Sequence, residues 1–163
     1  MSNPPPPNRG HQLVAWGFVA VQVLLIAGVI LVPRGSQWPV SPALQWVGWI
    51  AMIAGIGIGL WAARYLGRGL TASPLPNGAV TLVTAGPYRY MRHPMYTAVM
   101  LIVSGVALRS GSWIVVALTV GLGALFWVKS AWEEQRLAET FPGYPAYQQA
   151  VPRFIPHPRR AAA

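Results

Sequence analysis

The chain has 163 residues, of which 54% are hydrophobic and only 9% are charged. A soluble domain usually carries about 25% charged residues, so this composition indicates a membrane protein with room for one compact unit. The net charge of +9 does not indicate nucleic-acid binding, because the twelve Lys and Arg residues are spread thinly between apolar runs. The sequence has no cysteine, which excludes a disulfide framework and a thiol nucleophile, and no metal site is predicted.

The N-terminal region combines a polar tail with a first apolar run. Residues 1–12 contain four successive prolines and are predicted to be a disordered tail. Twenty uncharged residues then extend from Leu13 to Val32, the length required to cross a hydrocarbon core of about 30 Å. A signal peptide is the alternative, but the run is long for one and no small-residue cleavage motif follows it. We therefore predict a first transmembrane helix.

A second uncharged run extends from Ala43 to Ala63 after a turn rich in proline. Residues 13–63 are therefore predicted to form an N-terminal pair of transmembrane helices. Small residues inside the second run would let another helix approach closely in a bilayer. These residues are Gly48, Gly55, Gly57 and Gly59.

The region 64–94 is unlike the runs before it, since it contains four Arg residues and a turn signal at residues 76–78. A loop of this length is more often functional than passive. Two shorter apolar segments follow, Met95–Leu108 and Trp113–Val128, which have 14 and 16 residues. They predict a helical hairpin whose cytoplasmic ends dip into the membrane or continue as polar helix. After Lys129 the pattern becomes amphipathic, and a helix end is predicted at Pro142–Gly143.

The basic residues divide unequally between the two sides of this arrangement. With four crossings, ten of the twelve Lys and Arg residues lie on the side that holds both termini, and only Arg34 and Arg109 lie on the other. The positive-inside rule makes the first side cytoplasmic. The predicted fold class is thus an all-α, multi-pass integral membrane protein with about four transmembrane helices, a cytoplasmic C-terminal amphipathic helix and both termini in the cytoplasm.

Two clusters of polar residues could carry chemistry. The first is GPYRYMRHPMY (residues 86–96), in which Pro94 suits the first turn of a helix. Arg92 and His93 would then lie at a helix N-terminus, where free N–H groups and the helix dipole favour an anion. The alternative is that they are membrane-interface anchors beside a belt of tyrosines.

The second cluster is KSAWEEQRL (residues 129–137), in which Lys129 and Glu133 lie four residues apart on one helix face. The alternative is an ordinary solvated ion pair. A hairpin would bring the start of its first helix and the end of its second to one membrane face. The basic helix N-terminus and the paired carboxylates, Glu133 and Glu134, are therefore expected to meet there.

Three motifs in this order resemble one known superfamily. They are LVTAGPYRYMRHPMY (82–96), EEQRL (133–137) and YQQAVPRFIP (147–156). They resemble the isoprenylcysteine carboxyl methyltransferase and phospholipid methyltransferase superfamily of integral membrane enzymes. The resemblance covers residues 64–156, which are predicted to form the catalytic, cofactor-binding region, with a tail at 157–163. It implies a site at the cytoplasmic face that binds S-adenosylmethionine and releases S-adenosylhomocysteine.

The resemblance also implies roles for individual residues. Cofactor contacts are expected at Val80, Thr81, Leu82, Val83, Tyr88, Arg92, His93, Pro94, Met95, Tyr96, Glu133 and Glu134. A carboxylate such as Glu133 can accept hydrogen bonds from both ribose hydroxyls, and the helix start at His93 can hold the methionine carboxylate. Prenylcysteine enzymes place an Arg one turn before the paired Glu, and in this chain that position is Lys129. Lys129 is therefore the expected catalytic and substrate-binding residue. The alternative is that Lys129 only anchors the helix at the membrane interface.

The function that follows is transfer of a methyl group to a lipid-like acceptor of isoprenoid or phospholipid type, most readily a carboxylate. Two other classes of protein would share parts of this sequence pattern. One is an NADPH-dependent reductase of the sterol-reductase type, and the other is a non-catalytic membrane scaffold. The three classes differ in whether they bind S-adenosylmethionine, NADPH or neither.

Overall fold

The computed structural model describes residues 9–33, 35, 37–67 and 82–156, all of which are helix, turn or irregular loop. The helices are α1 (Arg9–Leu31), α2 (Pro42–Leu66), α3 (Pro94–Ser110), α4 (Trp113–Thr140) and α5 (Tyr144–Ala150), with a 3₁₀ turn at Gly86–Arg89 before α3. The turn predicted at residues 76–78, the tail at 157–163 and residues 1–8 lie outside the described residues. The all-α prediction is confirmed for the described part of the chain.

Three of these helices, α1, α2 and α4, are long and apolar enough to cross a membrane, and α3 is a shorter apolar helix of 17 residues. At a rise of 1.5 Å per residue, α3 is roughly 25 Å long, near the lower limit for a crossing. A buried cluster from α1, α3 and α4 joins the helices: Val29, Val103, Ala107, Val115, Leu122 and Phe126.

Helix α1 begins earlier than the sequence suggested. Arg9 is already helical, so the last four residues of the predicted polar tail belong to α1. The additional turn has a packing partner, because the His11 ring lies edge-on to Trp132 of α4 with 6.2 Å between ring centroids.

Helices α2 and α3 pack with their backbones close together along a line of small residues. A Cβ atom on Gly55 would lie 2.7 Å from the carbonyl oxygen of Ala98, and one on Gly48 would lie 2.8 Å from that of Gly105. These two positions confirm the prediction of close helix approach. Gly57 does not, because a Cβ atom there would meet nothing within 4 Å among the described residues.

The turns between α1 and α2 and between α3 and α4 lie at the same end of the bundle. The amides of Gly35 and Gln37 donate hydrogen bonds to the carbonyls of Ser110 and Gly111, each at 3.0 Å. Gly111 has φ of +61°, a left-handed conformation that glycine adopts without strain and that ends α3. The start of α3 and the end of α4 therefore lie together at the opposite end, as the hairpin predicted.

The amphipathic segment after Lys129 is not a separate helix. It forms the last three turns or so of α4, which continues without interruption to Thr140. Helix α5 is an additional short helix that the sequence pattern did not predict. After it, residues 151–156 run back toward the start of α3, where they become part of the site described below.

We expect Gly55→Ile to destabilise the protein and Gly57→Ile to act as its matched control. Both substitutions add the same side chain to the same helix, but only the first places it against backbone atoms of α3. Overpacking of this kind costs roughly 1–3 kcal/mol. Thermal unfolding in detergent should therefore show a lower midpoint for Gly55→Ile alone. Equal midpoints for the two variants would contradict the packing described here.

Candidate active site

The candidate site is built around the first residues of α3. Pro94 is the first residue of the helix, as predicted, and His93 is its N-cap. Proline fits this position because the missing N–H would have no partner within the helix. Arg92 and His93 consequently point from the helix start toward the final turns of α4, which carry Glu133 and Glu134.

Glu134 is the centre of the polar contacts at this site. Its side chain is only 3% exposed, and both carboxylate oxygens are engaged. Oε1 accepts from Nε of Arg92 at 2.8 Å and contacts Nε2 of His93 at 3.0 Å. Oε2 accepts from Gln148 at 3.1 Å and from Arg153 at 2.7 Å. Two cations and two further donors thus compensate a carboxylate that would be costly to bury alone.

The segment after α5 is also bound to the start of α3 through its backbone. The amides of Arg92 and His93 donate to the carbonyls of Pro152 and Arg153 at 2.9 and 3.0 Å. One terminal nitrogen of Arg92 donates to the carbonyls of Gln148, at 2.8 Å, and Val151. Through Nε and this nitrogen, Arg92 therefore connects the start of α3 to Glu134 and to the C-terminal segment.

Glu133 has a different environment from its neighbour. Its side chain is 24% exposed, and Oε2 accepts a hydrogen bond from the Tyr96 hydroxyl at 2.9 Å. Nδ1 of His93 lies 3.7 Å from the same oxygen. His93 thus stands between the two carboxylates, with one ring nitrogen toward each.

Aromatic rings extend this cluster toward the interior of the bundle. The Tyr96 ring stacks on His93 on one side, with centroids 5.3 Å apart, and on Phe126 on the other, at 4.6 Å. Nζ of Lys129 lies 5.3 Å from the centre of the Tyr96 ring. Lys129 is 1% exposed and donates to the side-chain oxygen of Gln22 in α1 at 2.7 Å. Lys129 therefore lies deeper in the bundle than Glu133.

The other expected contact residues approach the site from the 3₁₀ turn. Tyr88 is buried and its carbonyl accepts from the Tyr147 hydroxyl at 2.6 Å. Burial, with a smaller effect of the Glu133 carboxylate, raises the pKa of Tyr88 to about 12, so its hydroxyl keeps its proton at neutral pH. Leu82 and Val83 are partly buried in the irregular loop that leads to this turn.

The remaining expected contacts have mixed outcomes. Pro94 is buried and Met95 partly buried in the first turn of α3. Val80 and Thr81 lie outside the described residues. The structure thus brings the two polar clusters of the sequence together, and the cofactor role expected of each residue remains a prediction.

Three residues of this cluster were not anticipated as site residues. Gln148 and Arg153 lie in the third motif of the sequence, but their side chains had no assigned partner. Of the three, Gln22 could best have been found from the sequence, because a polar residue inside an uncharged membrane run is usually functional or paired.

Comparison with known sequences agrees with this architecture. A sequence profile of the phospholipid methyltransferase family matches residues 43–143, which include the hairpin, both carboxylates and the start of α3. The chain belongs to this family. The matched region ends just before α5.

Two curated bacterial proteins are similar to the chain over most of its length. One is the nickel-cobalt-cadmium resistance protein NccN of Alcaligenes xylosoxydans xylosoxydans, 31% identical over 153 residues, which are 90% of this chain and 65% of NccN. The other is the cobalt-zinc-cadmium resistance protein CzcN of Cupriavidus metallidurans, 31% identical over 151 residues, 90% of this chain and 64% of CzcN. The chain thus spans less than two thirds of the length of these relatives.

Proposed function

We propose that this phospholipid methyltransferase family member transfers a methyl group from S-adenosylmethionine to a lipid-like acceptor. The observation that carries the proposal is the convergence of His93, Tyr96 and Glu133, a partly exposed carboxylate beside an aromatic wall, at one end of the α3–α4 hairpin. These residue types match the chemical groups of the cofactor. A scaffold or an NADPH-dependent reductase has no comparable support from this donor set.

The described residues suit S-adenosylmethionine in three respects. Glu133 offers a carboxylate with exposed surface, which can accept from ribose hydroxyls. The Tyr88 hydroxyl remains a donor at neutral pH. The Tyr96 ring is held between His93 and Phe126, and its hydroxyl holds Oε2 of Glu133 in position for such a contact with the ribose. By contrast, Arg92 and Glu134 are engaged with protein groups, and we assign them to holding the site together.

When bound, the cofactor supplies an electrophilic methyl group on a positively charged sulfur. The protein's contribution is then to hold an acceptor in line with that methyl group and to exclude water, since proximity and a preorganised electrostatic environment lower the barrier. A carboxylate acceptor needs no general base. Lys129, buried between α1 and Tyr96, is proposed to attract the anionic group of the acceptor, whose apolar tail lies between the helices.

The site is proposed to face the cytoplasm. The end of the bundle that holds it also carries Arg64, Arg89, Arg92, Lys129, Arg136 and Arg153, whereas Arg109 lies at the opposite end. This distribution follows the positive-inside rule.

The metal-resistance names of the two relatives suggest what such a reaction would change. Methylation of a carboxylate removes a negative charge and an oxygen ligand that divalent cations bind. A methylated membrane lipid would therefore present fewer ligands to metal ions at the membrane surface. An acceptor that carries no anionic group would contradict this connection.

The direct test is to incubate the purified protein in detergent or lipid with methyl-labelled S-adenosylmethionine and a total lipid extract. We expect label to enter one lipid class and S-adenosylhomocysteine to form in equal amount. The same protein titrated with NADPH should show no binding. Binding of NADPH, or of neither cofactor, would contradict the proposal and favour one of the two alternative classes.

We expect Glu133→Ala to weaken S-adenosylmethionine binding because the ribose hydroxyls lose a charged acceptor. Such a hydrogen bond contributes roughly 1.5–3 kcal/mol, which corresponds to about 10- to 150-fold in Kd. Isothermal titration calorimetry measures the change. Glu139→Ala is the matched control, since its side chain is 61% exposed and pairs with Arg136 on the same helix. Equal affinity of Glu133→Ala and the parent would contradict the role of Glu133.

We expect Lys129→Met to leave cofactor affinity unchanged and to lower kcat/KM for the identified acceptor by roughly 10- to 150-fold, the loss of one charge-assisted contact. Lys129→Arg keeps the charge and should retain much of the activity, although the guanidinium has a different shape. Steady-state kinetics with varied acceptor provide the measurement. If kcat/KM is unchanged in Lys129→Met, the lysine has a structural role inside the bundle, where it binds Gln22, and does not contact the acceptor.

A further inference from the structure

The C-terminal segment, residues 148–154, comprises the end of α5 and the chain that follows it. It lies beyond the part of the chain that matches the family, yet it contacts Glu134 and the start of α3. Its carbonyls receive the amides of Arg92 and His93, and the Phe154 carbonyl accepts from the Thr97 hydroxyl at 2.9 Å. The Phe154 ring lies 5.9 Å from the ring of His93. This segment is therefore built into the site, and it encloses the N-terminus of α3.

One carboxylate connects this segment to the ring of His93. Glu134 accepts from Gln148 and Arg153 through Oε2, and contacts His93 through Oε1. Because an ionised carboxylate only accepts hydrogen bonds, Nε2 of His93 must carry a hydrogen and donate it. This contact fixes the orientation of the imidazole, so that Nδ1 is directed toward Glu133.

We infer that Glu134 and Arg153 are positioning residues. Together they hold the C-terminal segment against the start of α3 and so set the orientation of the His93 ring. The His93 ring in turn sets the position of Glu133, the carboxylate proposed to bind the cofactor. The part of the inference that concerns cofactor binding rests on the proposed function. It assigns different roles to the two adjacent glutamates. Glu133 contacts the cofactor, whereas Glu134 acts only through His93 and the C-terminal segment.

The test compares Arg153→Met, Arg153→Lys and a matched control, Arg136→Met. Arg153 is 23% exposed, so its loss is compatible with a folded protein. Arg136 is similarly exposed, at 22%, and its ion partner Glu139 lies outside the site. Two properties are measured on the full chain in detergent: hydrogen exchange of peptides that cover residues 91–93 and 148–154, and calorimetric binding of S-adenosylmethionine.

We expect faster exchange in Arg153→Met in both peptides, because the hydrogen bonds between the two segments open more often. Its Kd for the cofactor should rise by roughly 10- to 100-fold, as happens when a group that orients a ligand-binding residue is lost from a metal site. Arg153→Lys should restore most of both properties, and Arg136→Met should resemble the parent.

Each alternative result has a distinct meaning. Unchanged exchange in Arg153→Met overturns the inference, and so does faster exchange with an unchanged Kd. If Arg153→Met only unfolds part of the protein, the binding stoichiometry falls while the Kd of the folded fraction stays the same. That result also overturns the inference. If the parent itself does not bind S-adenosylmethionine, the proposed function fails, and exchange alone then decides whether Arg153 holds the two segments together.

Discussion

The buried carboxylate of Glu134 is the constraint on which the candidate site depends. A charged group that is 3% exposed is stable only when partners replace the water that it has lost. Here the partners come from the start of α3 and from α5 and the chain after it, which are distant in sequence from each other. Removing one partner of such a buried pair typically costs roughly 3–5 kcal/mol. The contacts of Glu134 therefore specify the fold of this end of the molecule.

Helix geometry explains how two adjacent glutamates acquire different environments. Successive residues of an α-helix are rotated by about 100°, so that the side chains of Glu133 and Glu134 leave α4 in different directions. Glu134 faces the C-terminal segment and Glu133 faces Tyr96. One sequence motif thereby provides both an anchored residue and a partly exposed one, and His93 contacts both.

Much of this arrangement follows from the sequence because membrane helices obey simple rules. The length and apolarity of the runs predicted four helices, and Pro94 predicted the start of α3. The hairpin predicted that the two polar clusters lie at one end. Periodicity could not distinguish Gly55 from Gly57, because the direction in which a glycine faces depends on which neighbour packs there. Nor could it assign Gln148 and Arg153 to Glu134, since that pairing depends on the path of an irregular segment.

The return of the C-terminal segment to the start of α3 has a consequence for biogenesis. Glu134 and Arg92 are separated by 42 residues and Arg153 lies 19 residues further on, so synthesis delivers the anion before its second cation. Until residue 153 has emerged on the same side of the membrane as the start of α3, Glu134 lacks part of its compensation. Insertion of the hairpin must therefore precede completion of the site, and a nascent chain halted at α4 would hold an incompletely neutralised charge at the bilayer surface.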